Sequence, residues 1–398
     1  MSDSKRLPLS NIRVVELSHM VMGPSTGLIL ADLGADVVKI EPPGGDKTRR
    51  LRGSGAGYFT MYNRNKLSLC ADLKDPRGKE IVHRLVGGAD VLIENFREGA
   101  MTRLGFGYEA MSALNPRLIY CSARGFLKGP YEHRTALDEV AQMMGGLAYM
   151  TGPPGRPLRA GASVIDVAGG MFGVIAILAA LEQRHRSGRG QHVTSALYES
   201  TAFFVGQHMA QMAVTGEAAQ PMPVRISAWA IYDVFETAGG EKMFVAVVSD
   251  SQWKTFCREF GLDDLAANPD FDENAGRVAA RDVILPRVQA VFAELPSNTL
   301  AVRLERCGMP YAPIARPEDL FDDKHLNESG GLIPVHVPGG AATALPALPV
   351  SLGGTRPGLR RDVPTPGKDA RDVLADAGFS ADEIAALIQD GVVDAPEP

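Results

Sequence analysis

The chain has 398 residues, a formal net charge of −6, 45% apolar and 22% charged residues. That length exceeds one ordinary core and implies two domains of unequal size, while the composition excludes a disordered or fibrous chain. The acidic balance argues against nucleic acid as the main partner, so an anionic ligand must be met by a local basic patch.

Met1–Asn11 carries Lys5 and Arg6 with no apolar run behind them, so no signal peptide is expected. Arg13–Leu17 reads as an apolar strand, Pro24–Leu33 as a helix ended by Gly34, and Asp36–Glu41 as a second strand. Pro76–Val86 is expected to be helical, with Asp90–Glu94 and Arg117–Cys121 as two more strands. Strands separated by helices imply parallel pairing, so the fold class is α/β, with a Rossmann-like doubly wound sheet over residues 1–215. The longest uncharged run, Val167 to Leu181, is too short to span a bilayer and contains Gly169, Gly170 and Gly173. It reads as a helix of about 167–185 buried against the sheet, and no membrane partner is expected. His192–Ala196 starts the next element.

Beyond about Gly216 the pattern changes. Ala228–Phe235, the turn Thr237-Ala238-Gly239-Gly240 and Lys242–Val248 read as a β-hairpin, followed by helices at Gln252–Phe260 and Val278–Leu295. A smaller α+β domain is therefore expected over 222–315. Residues 316–398 read as an arm, extended and Gly/Pro-rich from Leu332 to Pro366, followed by two helices returning to the large domain. The second helix opens with Ser380 and Glu383 as a capping box and stops at Gly391. Cys70, Cys121, Cys257 and Cys307 lie far apart, with no CxxC pair and no His at metal spacing. Reduced thiols, no metal and a cytoplasmic location follow.

The first strand–turn–helix invites a dinucleotide reading, and Glu41 ends the second strand where a ribose-binding acid would lie. The turn Ser18-His19-Met20-Val21-Met22-Gly23-Pro24, however, lacks the glycine fingerprint. More informative is Gly161-Ala162-Ser163-Val164-Ile165-Asp166-Val167-Ala168-Gly169-Gly170, where a carboxylate opens a long apolar helix. Asp166 there faces unpaired N–H groups and the positive end of the helix dipole. It is either a plain N-cap or a functional carboxylate, and the glycine pair favours the second by leaving room for a ligand.

Several motifs together make the chain resemble the class III CoA-transferase family, which includes formyl-CoA transferase, carnitine CoA-transferase and 2-methylacyl-CoA racemase relatives. They are Val14-Val15-Glu16-Leu17 with Gly23-Pro24, Asp32 through Glu41, Asn63-Arg64-Asn65-Lys66, Asp72-Leu73-Lys74 and Glu94-Asn95-Phe96. Arg184 through Gln191 and Gly308 through Pro313 extend the match. By this resemblance Asp166 falls on the family's nucleophile and Asp138 lies near it, either tuning it or serving structure alone. The family's CoA contacts would fall on Val21, Met22, Ala71, Asp72, Leu73, Lys74, Asn95, Phe96, Arg97, Arg103, Arg134, Thr135, Ala136 and Leu137. Pro42 and Thr135 stand where formyl-CoA transferase has basic residues. Arg134, Arg97 or the cluster Lys47-Arg49-Arg50-Arg52 could replace them, although that cluster also suits a solvated loop. Arg184–Arg189 fits a helix C-terminus and turn better than a phosphate site.

The resemblance implies transfer of CoA from an acyl-CoA donor to a small carboxylic acid, a dicarboxylic one by texture, through aspartyl anhydride and aspartyl-CoA thioester intermediates. CoA and acyl-CoA are substrates, and no tightly bound cofactor is expected. Backbone N–H groups around Gly169–Gly170 and Met22–Gly23 are candidate oxyanion donors. Arg225, His19 and His208 could receive a second carboxylate, or belong to core and surface. The hairpin holds only Gly239-Gly240 where formyl-CoA transferase has a glycine tetrad, which argues against oxalate. A racemase-type isomerase is the alternative reading, but racemase relatives carry a His where this chain has Leu137, which favours transfer. A non-catalytic CoA-binding partner subunit is a third, against which Asp166 is retained. The family's interlocked homodimer is the expected assembly, consistent with the Gly/Pro arm.

Overall fold

Apolar strands alternating with helices require a sheet covered on both faces, and the chain follows that rule from Arg13 onward. The computed structural model describes residues 7–225, 227–337, 340 and 342–396; Lys5, Arg6 and residues 338, 339 and 341 of the expected arm lie outside the described residues. In chain order the elements are β1 (Arg13–Leu17), α1 (Met22–Asp32), β2 (Asp36–Glu41), α2 (Tyr58–Tyr62), β3 (Lys66–Ala71) and α3 (Pro76–Gly87). Then come β4 (Val91–Glu94), α4 (Ala100–Leu104), α5 (Tyr108–Leu114), β5 (Ile119–Arg124), α6 (Asp138–Met144) and α7 (Leu147–Thr151). α8 (Val164–Ser187), β6 (His192–Ala196) and α9 (Leu197–Thr215) complete this part of the chain.

The six strands pair in parallel in the order β3-β2-β1-β4-β5-β6, and the short strand Val393–Asp394 adds antiparallel to β3. The strand order reverses between β1 and β4, so a crevice opens there at the carboxyl edge of the sheet. One face buries Val14, Val37, Val91, Ile93 and Ile119 under Leu30 of α1 and Val174, Ile177 and Leu181 of α8. The other buries Val15, Leu17, Leu69 and Leu92 against Ile81, Val82 and Phe106, with Val373, Leu374 and Ile384 from the C-terminal helices.

The chain forms two compact units, one running to Pro223 and resuming at Lys324, the other spanning Val224–Asp323. The second carries a three-stranded antiparallel sheet of Tyr232–Glu236, Lys242–Ala246 and Tyr311–Pro313. Its own core gathers Trp253, Phe256, Phe260, Ile284, Phe292 and Leu300.

Three local expectations change. β5 runs to Arg124 rather than stopping at Cys121, because buried Glu94 accepts hydrogen bonds from Ser122 and Arg124 and so satisfies the polar end of the strand. The arm is not irregular throughout: Leu332–His336 pairs antiparallel with Ala342–Pro346. α8 begins at Val164, with Ser163 at its N-cap position, so Asp166 stands inside the first turn rather than capping it. By length and composition α8 could cross a membrane, yet half of its most apolar stretch is buried within this fold.

α8 lies on α1 at close range, and its glycines are why. A methyl on Gly170 would stand 2.1 Å from Ser25 Oγ and 2.9 Å from the Met22 carbonyl oxygen, while one on Gly169 would meet the Met22 side chain at 2.6 Å. The glycine pair therefore serves helix packing, not ligand approach. Gly170→Ala is expected to destabilise the protein by about 1–3 kcal/mol, because the helices must part. Gly206→Ala, where a methyl meets nothing within 4 Å in the middle of α9, should instead stabilise by up to ~1 kcal/mol. Thermal melts of the two variants check both signs.

Candidate active site

The contacts between α1 and α8 run in register: Met22 against Gly169, Ser25 against Gly170, Thr26 against Gly173. The helices are thus parallel, and both N-termini meet at the carboxyl edge of the sheet. Each N-terminus presents N–H groups and a partial positive charge. The first turn of α1 has no side-chain cap and contains Pro24, leaving Met22 and Gly23 as its outward donors. Gly169 and Gly170 do not share that role. They lie inside the α8 ladder, where N–H groups are spent on carbonyls four residues back.

The turn before α1 is held from below. Lys39 and Lys66 are fully buried; both pair with buried Glu16, at 3.3 and 2.8 Å. Lys39 Nζ donates to the Ser18 carbonyl at 2.6 Å, and Lys66 Nζ to the Pro24 carbonyl at 2.9 Å. Burial pushes the Lys66 ammonium down to about 8, its Glu16 partner resisting. Between these anchors Met20 adopts a left-handed φ of 64°, costly for a side chain of its size. Its N–H donates to Thr48 Oγ1 at 3.1 Å. Across the crevice the His19 N–H donates to Asn95 Oδ1 at 3.0 Å, and Asn95 Nδ2 returns a bond to the His19 carbonyl at 2.8 Å. The Phe96 ring lies 5.4 Å from the His19 ring.

Asp166 comes into place through Asp138, which is 3% exposed at the start of α6. Asp138 Oδ2 accepts the N–H groups of Ile165 at 2.9 Å and Asp166 at 3.1 Å, while Oδ1 accepts from Gln142 Nε2. Gln142 Oε1 in turn accepts the Ala160 N–H at 2.9 Å. α8 is thus capped by a carboxylate from another segment. Among the described residues none hydrogen-bonds the Asp166 carboxylate itself. Burial, reinforced by Asp138 and Glu139, raises that carboxyl from 3.8 to about 7, with Arg159 opposing.

Residues that pattern and resemblance both missed complete the surroundings. Tyr58 Oη lies 3.4 Å from Ser163 Oγ, and Tyr62 stands one turn further along α2. The Tyr62 phenol is raised to about 12, by burial first and then by Asp166, Tyr58 and Asp138. The i, i+4 spacing of the two tyrosines ahead of Asn63 was the available signal. Arg159, in the loop entering α8, places Nη1 2.8 Å from Glu139 and 3.4 Å from Asp138.

The sequence-derived contacts sort by position. Met22 is buried in one cluster with Ile165, Ala136 packs against it, and Val21 is buried beside it. Asn95 and Phe96 line the crevice, whereas Arg97, Arg103, Arg134 and Thr135 are exposed at or beyond its rim. The Arg134 guanidinium stands 5.1 Å from the Tyr131 ring. Leu137 is 60% exposed. Ala71 is buried in β3 opposite Val393, leaving Asp72, Leu73 and Lys74 in the turn beyond, two strands from β1.

Two expectations fail for one reason. Glu41 is fully buried and forked by Arg49, at 2.7 and 2.6 Å, and also accepts from Ser68 Oγ, so it cannot read a ribose. Arg49, whose guanidinium also stands 3.6 Å over the Phe59 ring, is equally spent and leaves the proposed phosphate cluster to Lys47, Arg50 and Arg52. Arg184 is likewise structural, bridging Asp90 at 2.7 Å and the Arg117 carbonyl at 3.0 Å. His19 is held below its usual pKa, chiefly by burial.

Comparison with known proteins agrees with this architecture. The profile of CoA-transferase family III matches residues 9–370. The chain is 34% identical over 393 residues to the succinate–glutarate CoA-transferase of Agrobacterium fabrum, covering 94% of this chain and 96% of that one. It is 35% identical over 354 residues to the acetyl-CoA:oxalate CoA-transferase of Acetobacter aceti, covering 87% and 90%. A crystal structure of a CAIB/BAIF family protein from Brucella suis superposes with a TM-score of 0.83 at 32% identity, covering 94% of this chain and all of that one. Family match, identity and fold agree: the chain belongs to CoA-transferase family III.

Proposed function

We propose that the protein moves CoA from an acyl-CoA donor to a small dicarboxylic acid, with Asp166 as the covalent nucleophile. The carrying observation is a carboxylate without a hydrogen-bond partner among the described residues, raised toward neutrality, where two helix N-termini converge. The relatives named for succinate, glutarate and oxalate support the acid class.

The residues suggest the following steps. An Asp166 oxygen attacks the thioester carbonyl, the C–S bond breaks, and CoA thiolate leaves an aspartyl mixed anhydride. The thiolate then attacks the aspartyl carbonyl, releasing the donor acid and forming aspartyl-CoA thioester. The acceptor carboxylate attacks that thioester and the sequence runs backward. No proton need be lost or gained overall, and Asp166 ends as it began. Each tetrahedral oxyanion needs donors, which the Met22 and Gly23 N–H groups supply. A raised pKa makes the Asp166 anion more basic and so a better nucleophile. Leu137 brings no imidazole for α-proton removal, which favours transfer over racemisation.

The protein acts in the cytoplasm as a homodimer. The outer faces of α8 and α9 support the assembly: Met171, Ile175, Phe203, Met209 and Met212 are all more than half exposed, an apolar surface that asks for a partner. Sedimentation at the protomer mass of 42.5 kDa would overturn this.

Asp166→Ala should bind CoA almost as the parent does while losing exchange by more than about a hundredfold. Acyl-CoA followed by hydroxylamine or borohydride should label Asp166 in the parent, as read by peptide mass spectrometry; label elsewhere, or retained exchange, refutes the assignment. The pH dependence has a fixed sign. The folded carboxyl holds its proton up to about 7 and the unfolded one only up to 3.8, so folding takes up a proton between those values. The parent therefore loses stability as pH climbs through that window. Asp166→Asn should raise the melting temperature more at about pH 8 than at about pH 5, and kcat/KM of the parent should fall below about pH 7.

A further inference from the structure

The cation beside Asp166 is bound in a way that a purely structural arginine would not need. Arg159 is 28% exposed, and its two acidic contacts both use Nη1. The Asp138 contact is long, at 3.4 Å, and that carboxylate is already served by Gln142 and by the Ile165 and Asp166 N–H groups. The closer partner, Glu139 at 2.8 Å, is 52% exposed. An ion pair that open to water is worth little and exchanges readily.

Charge makes the point sharper. The groups whose fields act on Asp166 are Asp138 and Glu139, both negative, and Arg159, which opposes them. A dicarboxylic acid reacting here brings one carboxylate to the reacting carbon and a second a few atoms away, so two more negative charges enter an acidic pocket. Of the buried or half-buried cations near the crevice, Lys39 and Lys66 are committed to Glu16, Arg49 to Glu41 and Arg124 to Glu94, while Arg97 and Arg134 are exposed at its rim. A guanidinium can fork a carboxylate with two parallel N–H bonds, and Arg159 Nε and Nη2 are free of the contacts that occupy Nη1.

We infer that Arg159 determines acceptor specificity, exchanging its Glu139 partner for the distal carboxylate of a dicarboxylic acid whose other carboxylate faces Asp166. This rests on the transfer reading above and adds which residue reads the acid. Glu139 then acts as a placeholder that keeps the guanidinium paired between substrates and competes with the incoming acid.

The test uses the whole protein, succinyl-CoA as donor, and glutarate or valerate as acceptor, two five-carbon acids that differ in the distal carboxylate. In a ping-pong scheme kcat/KM for the acceptor reports only its own half-reaction, so effects on the donor drop out. Arg159→Gln should lower kcat/KM for glutarate at least about tenfold more than for valerate, mainly through KM, and Arg159→Lys should recover part of the loss. Valerate serves as a competitive inhibitor if it is not itself converted. Glu139→Gln should act oppositely and lower the KM for glutarate. Equal losses with both acids, or an unchanged or raised glutarate KM in Glu139→Gln, overturn the assignment. If Arg159→Gln does not fold, the Glu139→Gln result decides alone. If the parent forms no CoA thioester with any acid, the transfer reading fails first, and is seen to fail before any variant is compared.

Discussion

One buried carboxylate organises the site. Asp138 accepts two N–H groups at the start of α8, a helix of another segment, and in doing so frees the helix's own aspartate from capping. Had Asp166 supplied the cap, as helix-forming sequences usually arrange, its carboxylate would have been tied to its own backbone. Burial raises the proton affinity of Asp166, and the neighbouring Asp138 carboxylate adds to it.

Beneath the opposite wall, two lysines and one glutamate sit fully out of water. Such a group is weak support for stability, since removing charges from water costs about as much as pairing returns. Its geometry suggests another use. Both ammonium groups spend a hydrogen bond on a backbone carbonyl at either end of the Ser18–Pro24 turn, and between those ends Met20 keeps a left-handed conformation. Gly27 lies directly over the cluster, where a methyl would stand 1.8 Å from Glu16. The backbone at the mouth of α1 is therefore fixed from inside, whatever solvent or ligand does outside.

Much of this was legible in the residues. Branched strands at regular intervals specified the parallel sheet, and the family motifs led to Asp166, Asn95 and the turn before α1. Where the reading failed, a side-chain contact that local pattern does not encode was responsible. Glu41 matched a ribose acid until Arg49 took both its oxygens, and strand β5 outlasted its apolar residues because Glu94 served its polar ones. The glycine pair was read as an opening for ligand, whereas its neighbour is another helix. Tyr62 and Arg159 were missed because neither sits in a motif; each gains its place only when α2 and the loop before α8 are brought beside one another. Local pattern speaks for periodicity and says little about partners a hundred residues away.

The edge of the sheet at β3 carries a consequence for synthesis. Ser68 receives its backbone partner from Asp369, 301 residues later in the chain, and Val393 zips onto Ala71. While the ribosome is still working through the middle of the message, that strand edge and the apolar residues beside it, Leu69 and Ile81 among them, remain open to misdirected pairing. A product cut short before the closing helices would therefore keep that strand edge unpaired.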